Sequence, residues 1–164
     1  MVVPHLDAAY NLARWLTRDA HDAEDVVQES YLRAFRAFGS FHGDDARCWL
    51  LTIVRNTCFS WLSKNRIRTR ELFPDVDMPE VGSDTFDPQA PLIREADQAL
   101  LREALEELPA EFREVIVLRE LEELSYKQIA EITTVPIGTV MSRLARARRR
   151  LEDSVLSRTT KEEV

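Results

Sequence analysis

Apolar residues recur at helical spacing in two blocks of this chain, about residues 22–61 and 101–151, and lose that spacing between them. In the first block, DAEDVVQESYLRAFRAFGSF predicts a helix ended by Gly39, with Val27, Tyr31, Ala34, Phe35 and Phe38 as its apolar stripe. The next, ARCWLLTIVRNTCFSWLSKNR, would bury Leu50, Ile53, Val54, Thr57 and Trp61. In the second block, Leu101, Ala104, Leu105 and Leu108, then Phe112, Val115, Ile116 and Arg119, predict two helices broken at Pro109. Ser125 followed three residues later by Gln128 is a capping-box signature, opening a short helix with Ile129 and Ile132 on its apolar edge. TTVP then breaks that helix, and Pro136 suits the first turn of another, on which Val140, Leu144, Ala147 and Leu151 share a face.

The fold class that follows is all-α: two small helical domains joined by a flexible acidic linker. Only 4 glycines agree with it. The boundaries read as a first domain over 1–68, a linker over 69–97, a second domain over 98–155 and a polar tail over 156–164. No helical or strand period runs through 71–91, and four of the chain's 7 prolines (Pro74, Pro79, Pro88, Pro91) fall there.

Charge sharpens this division. The chain carries 22 Lys+Arg against 29 Asp+Glu, a net −7. Between Glu71 and Asp97 stand eight acids and one base, so that stretch holds the whole excess and the remainder balances. Two basic blocks lie outside it. One runs from Arg55 to Arg70 with no acid, and the other puts five arginines into residues 143–150. Segregated positive charge keeps nucleic acid open as a partner despite the acidic total.

Several chemistries find no support. His5, His21 and His42 pair with no Cys or acid at metal-ligand spacing, so neither metal nor cofactor is expected. Cys48 and Cys58 on one helix would stand about 15 Å apart, beyond the roughly 7 Å reach of a disulfide. There is no Gly-rich phosphate loop and no nucleophile–base pair, which argues against an enzyme and leaves catalytic residues at none. No apolar run approaches the roughly 18 residues of a membrane helix, and the start lacks signal-peptide blocks, so a cytoplasmic protein without direct membrane insertion is expected.

The last two helices match a helix-turn-helix plan. At about 100° per residue, Ser142, Arg146 and Arg149 oppose the apolar face of the second, with Met141, Arg143 and Ala145 at the margins. A merely solvated face normally mixes signs, whereas this one has no acid before Glu152. On the helix of 22–41, Asp25, Gln28, Glu29, Leu32 and Arg36 share an arc of about 100°, an apolar residue set in a polar face. A solvated face with a stray leucine is one reading, and a protein-binding face with Leu32 as anchor is the other. Trp49, Asn56 and Ser60 share a flank ahead of basic residues, which suits unstacked single-stranded DNA, although a helical tryptophan is more often core.

These stretches resemble a known family. ELPAEFREVIVLRELEELSYKQIAEITTVPIGTVMSRLARARRRL is similar to region 4 of bacterial RNA polymerase sigma factors of the extracytoplasmic-function (ECF) group, part of the sigma-70 family. DAEDVVQESYLRAFRAF resembles sigma region 2.2, and SFHGDDARCWLLTIVRNTCFSWL resembles regions 2.3 and 2.4. The resemblance implies a promoter-specificity subunit that binds core RNA polymerase and recognises the −10 and −35 promoter elements. For the −35 element it implicates Thr139, Met141, Ser142, Arg143, Arg146 and Arg149, with Arg143 and Arg149 beside phosphates. Met141 departs from the Lys or Arg often found there. For the −10 element it implicates Phe41, His42, Gly43, Asp44, Trp49, Asn56, Ser60, Lys64 and Arg66, the loop cupping a flipped base. Asp25, Gln28, Glu29, Leu32 and Arg36 would grip the clamp helices of the polymerase's largest subunit, with the polymerase flap as a further contact. The linker would thread the RNA exit channel, and an anti-sigma protein, often membrane-anchored, is an expected partner. The alternative is a free-standing helix-turn-helix regulator, which predicts a symmetric site and tight duplex binding alone.

Overall fold

The computed structural model describes residues 3–41, 43, 45–72 and 92–162. Among the described residues every regular element is helical, and the chain separates into two compact units, one built on α1–α3 and the other on α4–α7.

The first unit opens with α1 (Leu6–Thr17), an element on which the sequence reading was silent. It buries Ala9, Leu12, Ala13 and Leu16 completely. It stops at Arg18, whose left-handed backbone (φ 61°) lets its N–H donate to the Arg14 carbonyl. Asp19 then caps α2 (Ala20–Ala37), its carboxylate accepting from the Asp22 N–H at 3.0 Å.

The core face of α2 differs from the predicted stripe. Ala23, Val26, Val27, Ser30 and Ala34 are buried, whereas Tyr31 is half-buried, Phe38 is 51% exposed and Phe35 is 84% exposed. The cause lies in the packing: α2 meets both α1 and α3, and the seam is lined by small residues that let the helices approach closely. The Ser30 hydroxyl is satisfied internally, donating to the Val26 carbonyl at 2.7 Å. Gly39 does not terminate α2 as expected either. The helix ends at Ala37 and tightens into a 3-10 turn over Phe38–Ser40, and no described glycine has positive φ.

Asp45 accepts the Cys48 N–H at 3.0 Å at the start of α3 (Ala46–Leu72). Leu50, Leu51, Val54, Thr57 and Cys58 are buried, while the expected core residues Ile53 and Trp61 are half-buried. Cys48 and Cys58 are both buried, and neither forms a disulfide. Burial, reinforced by Asp45, pushes the Cys48 thiol up to about 12. α3 continues to Leu72 and α4 begins at Leu92, so the two helices occupy 69–72 and 92–97 of the stretch predicted as linker. Its centre, 73–91, lies outside the described residues.

In the second unit, α4 (Leu92–Glu107) buries Ala104 and Leu105 and leaves Leu101 44% exposed. Pro109 starts α5 (Ala110–Ile116), which widens into a π-turn over Val117–Leu121, closed by the Glu122 N–H donating to the Val117 carbonyl. Arg119, predicted on the apolar face, lies in that wider turn. There it donates to the Leu124 carbonyl at 2.8 Å and covers the Tyr126 ring. Ser125 and Gln128 exchange hydrogen bonds at the start of α6 (Tyr126–Thr133): the Ser125 N–H donates to Gln128 Oε1 at 2.9 Å, and the Gln128 N–H to Ser125 Oγ at 3.1 Å. Thr134, with φ 60°, makes the turn, and α7 (Ile137–Glu162) follows Pro136. Val140, Leu144 and Ala147 are buried as the spacing predicts, and Leu151 is half-buried.

Candidate functional site

The five arginines of α7 divide into two groups. Arg143 points inward: its side chain is 23% exposed and a guanidinium nitrogen lies 4.0 Å from Oε1 of the fully buried Glu114. Arg148 donates to Glu120 at 2.7 Å, a bond that raises its affinity for its proton. Arg150 lies over the Phe112 ring, 4.9 Å from its centroid. The side chains of Arg146 and Arg149 are exposed, with no ion pair or hydrogen bond among the described residues. They share the outer surface with Met141, Ser142 and Ala145, all exposed, while Thr139 is half-buried. Three of the five arginines are thus tied to the unit itself, and two are presented outward.

The residue types on this outer face are ones whose chemistry a DNA major groove can meet. A helix fits there, Ser and Arg can bond base edges or phosphates, and an exposed methionine can meet a thymine methyl. Farther along α7, Arg158 pairs with Glu103 at 2.6 Å and with Glu107, anchoring the helix to α4. These contacts are mostly solvent-exposed and contribute little to stability singly.

On α2, all five residues predicted for the protein-binding arc are exposed: Asp25, Gln28, Glu29, Leu32 and Arg36. With Arg33 they line a shallow depression of about 380 Å³. Leu32 is 58% exposed and Phe35 and Phe38 continue the apolar surface beside it, so the face is larger and more aromatic than sequence reasoning found. The signal that could have revealed Phe35 is the small-residue spacing of Ala23, Ser30 and Ala34, which outcompetes the aromatics for the seam. Arg33 was also missed: it donates to Glu29 at 2.9 Å and to the Thr57 hydroxyl at 3.3 Å, joining this face to α3.

The residues predicted at single-stranded DNA are only partly brought together. Phe41 and Trp49 form an aromatic pair with centroids 4.9 Å apart and rings tilted by 40°. Both are half-buried, so Trp49 is at once packed and accessible. Asn56, Ser60 and Lys64 are exposed along α3, and Asn56 accepts from Arg55 at 3.3 Å. Gly43 is exposed, whereas His42, Asp44 and the side chain of Arg66 lie outside the described residues. Among the described residues no helix is long and apolar enough to cross a membrane.

Comparison with known proteins adds independent findings. Residues 1–68 match the family model for Sigma-70 region 2, and residues 98–151 match that for Sigma-70, region 4. The chain is 34% identical over 149 residues to the RNA polymerase sigma-H factor of Pseudomonas aeruginosa, covering 84% of this chain and 75% of that protein. It is 36% identical over 151 residues to the ECF RNA polymerase sigma-E factor of Haemophilus influenzae, covering 88% and 79%. Its structure resembles that of the sigma factor RpoE from Bartonella quintana, solved in complex with the anti-sigma factor NepR. That likeness has a TM-score of 0.76 at 32% identity, over 94% of this chain and 93% of the other.

Proposed function

The chain belongs to the ECF group of the sigma-70 family, the promoter-specificity subunits of RNA polymerase, and we propose that its two units divide the promoter between them. The second unit reads the −35 element as duplex through α7, with Ser142 and Arg146 at base edges, Arg149 at phosphate, and Met141 against an apolar base edge. The carrying observation is the partition of the five arginines at 143–150: of these, Arg146 and Arg149 alone have no ion pair, hydrogen bond or ring contact among the described residues, and both lie on the outer face of the second helix of a helix-turn-helix.

The first unit has two tasks in this reading. The α2 face docks on the clamp helices of the polymerase's largest subunit, Leu32 and Phe35 supplying apolar anchors and Asp25, Gln28, Glu29 and Arg36 fixing register. The flank of α3 with Trp49, Asn56, Ser60 and Lys64 contacts the opened −10 strand, where Phe41 and Trp49 provide aromatic surface beside an extruded base. The second unit adds a contact to the polymerase flap. The chain contributes recognition and no bond-making chemistry, and it acts in the cytoplasm.

An anti-sigma protein is the remaining partner in this reading. Its support is that RpoE, similar over nearly its whole length, was crystallised with NepR. A membrane-anchored partner of that kind would hold the chain at the membrane without any insertion of its own. Neither the family matches nor the relatives support a free-standing regulator.

Run-off transcription with purified core polymerase on genomic promoters tests the whole assignment. The expected result is initiation that requires both proteins and an asymmetric, two-part site. Tight binding of the chain alone to a symmetric duplex, without stimulation of the polymerase, would overturn it.

A further inference from the structure

Of the five residues on the α2 arc, Glu29 alone has its side chain hydrogen-bonded among the described residues. Its Oε1 accepts from Arg33 Nη2 at 2.9 Å, from one turn along the same helix. An exposed pair of this kind is ordinarily loose, because both long side chains keep many rotamers. This one is pinned at its far end. The other terminal nitrogen of Arg33 donates at 3.3 Å to the hydroxyl of Thr57, a residue of α3 that is 2% exposed. That hydroxyl has a single hydrogen and gives it to the Ile53 carbonyl at 2.7 Å, so towards Arg33 its oxygen can only accept. A donor and an acceptor are therefore defined at every step from α3 to Glu29.

Resting on the assignment of the α2 face to core polymerase, we propose that Arg33 is a positioning residue for that docking, holding the Glu29 carboxylate in the orientation the polymerase meets. A guanidinium is planar and its donors form a fixed fork, so holding one nitrogen on α3 sets the direction of the other. Arg33 also lines the depression formed with Asp25, Gln28, Glu29, Leu32 and Arg36, which puts the fork inside the site. Glu29 Oε2 has no partner among the described residues and is the oxygen left for a donor on the polymerase. Ordering a rotamer-rich side chain on docking costs free energy, and a carboxylate held beforehand avoids part of that cost. Thr57, itself out of reach of any partner, thereby enters the polymerase interface through Arg33.

The test measures, on the full chain, affinity for purified core polymerase and melting temperature in parallel. Arg33→Ala and Glu29→Ala should each weaken core binding about fivefold, and the double variant should bind no worse than the weaker single variant, since the two residues act as one unit. Two substitutions of Thr57 separate positioning from packing. Thr57→Ser keeps the accepting oxygen and loses a core methyl, so it should lower the melting temperature yet bind core polymerase like wild type. Thr57→Val keeps the bulk and loses the oxygen, so it should bind about threefold more weakly, whichever way its melting temperature moves.

Four results would overturn the proposal. If Arg33→Ala weakens binding as much in the Glu29→Ala background as in wild type, Arg33 itself touches the polymerase. If Thr57→Ser impairs binding and Thr57→Val does not, the site needs the methyl and not the oxygen. If Leu32→Ala weakens binding while Arg33→Ala leaves it at the wild-type value, the α2 assignment stands and the positioning role falls. If Leu32→Ala and Phe35→Ala both bind like wild type, the assignment is removed and the positioning role with it.

Discussion

α2 and α7 make an instructive pair. Both are amphipathic, and both are assigned a partner on their outer face. On α7 the buried residues are Val140, Leu144 and Ala147, the ones that spacing picks out. On α2 the seam belongs to Ala23, Val26, Val27, Ser30 and Ala34, and the largest apolar side chains stand in solvent. Both helices pack against two others, α2 on α1 and α3 and α7 on α4 and α5, so the difference lies in the size of the residues each sets into its seam. Packed against both α1 and α3, α2 uses small residues where the backbones approach closely. Bulk is then free to appear on the outside, where it serves recognition. An aromatic residue at helical spacing is evidence of apolar surface, and what covers that surface is a separate matter.

The contrast can be broken at its strongest point first. Leu144→Ala on α7 should cost about 2–5 kcal/mol of stability, the range for a buried leucine, read by denaturant unfolding. Phe35→Ala on α2, the removal of a larger side chain, should change unfolding by only about 0.5 kcal/mol or less, as surface substitutions do. A comparable stability loss for both would show that α2 buries Phe35 after all.

The second measurement reverses the ranking. Phe35→Ala and Leu32→Ala should each weaken core polymerase binding by roughly 2 kcal/mol or more, as truncated interface anchors do. Wild-type affinity for both variants, with unchanged helicity, would remove the polymerase from the α2 face.

A smaller effect sharpens the α7 side. Arg146→Ala should cost about 1–3 kcal/mol on promoters that depend on the −35 element and far less on those that do not. Arg149→Ala should weaken every duplex evenly and lower the salt slope by about one. If Arg148→Ala lowered the slope as much as Arg149→Ala, the partition of the arginines would be lost, because Arg148 is committed to Glu120.

How much of this was legible in the sequence depended on the kind of interaction. Local devices were legible: the Ser125–Gln128 box, the break at Pro136 and the outward placement of Ser142, Arg146 and Arg149 all follow from spacing within one turn or two. The α2 arc from Asp25 to Arg36 was legible for the same reason. Contacts across the fold were not. Nothing in the neighbourhood of Arg143 announces Glu114, which lies 29 positions earlier and meets it only once α5 and α7 pack. The π-turn that carries Arg119 gives no sign of itself in the apolar spacing, and helix α1 has no partner visible in its own sequence until α2 and α3 close on it.

The turn between α6 and α7 has a consequence for engineering. Thr134 occupies a left-handed backbone region (φ 60°) that a β-branched residue enters only under strain, of the order of 1 kcal/mol. The side chain is exposed, so no packing is lost by changing it. Thr134→Gly or Thr134→Asn should release much of that strain. About 1 kcal/mol corresponds to roughly 4–8 °C in the melting temperature of a domain this small. The helix-turn-helix thus has thermal headroom at a position outside the proposed DNA-reading face, and promoter selectivity should survive the gain.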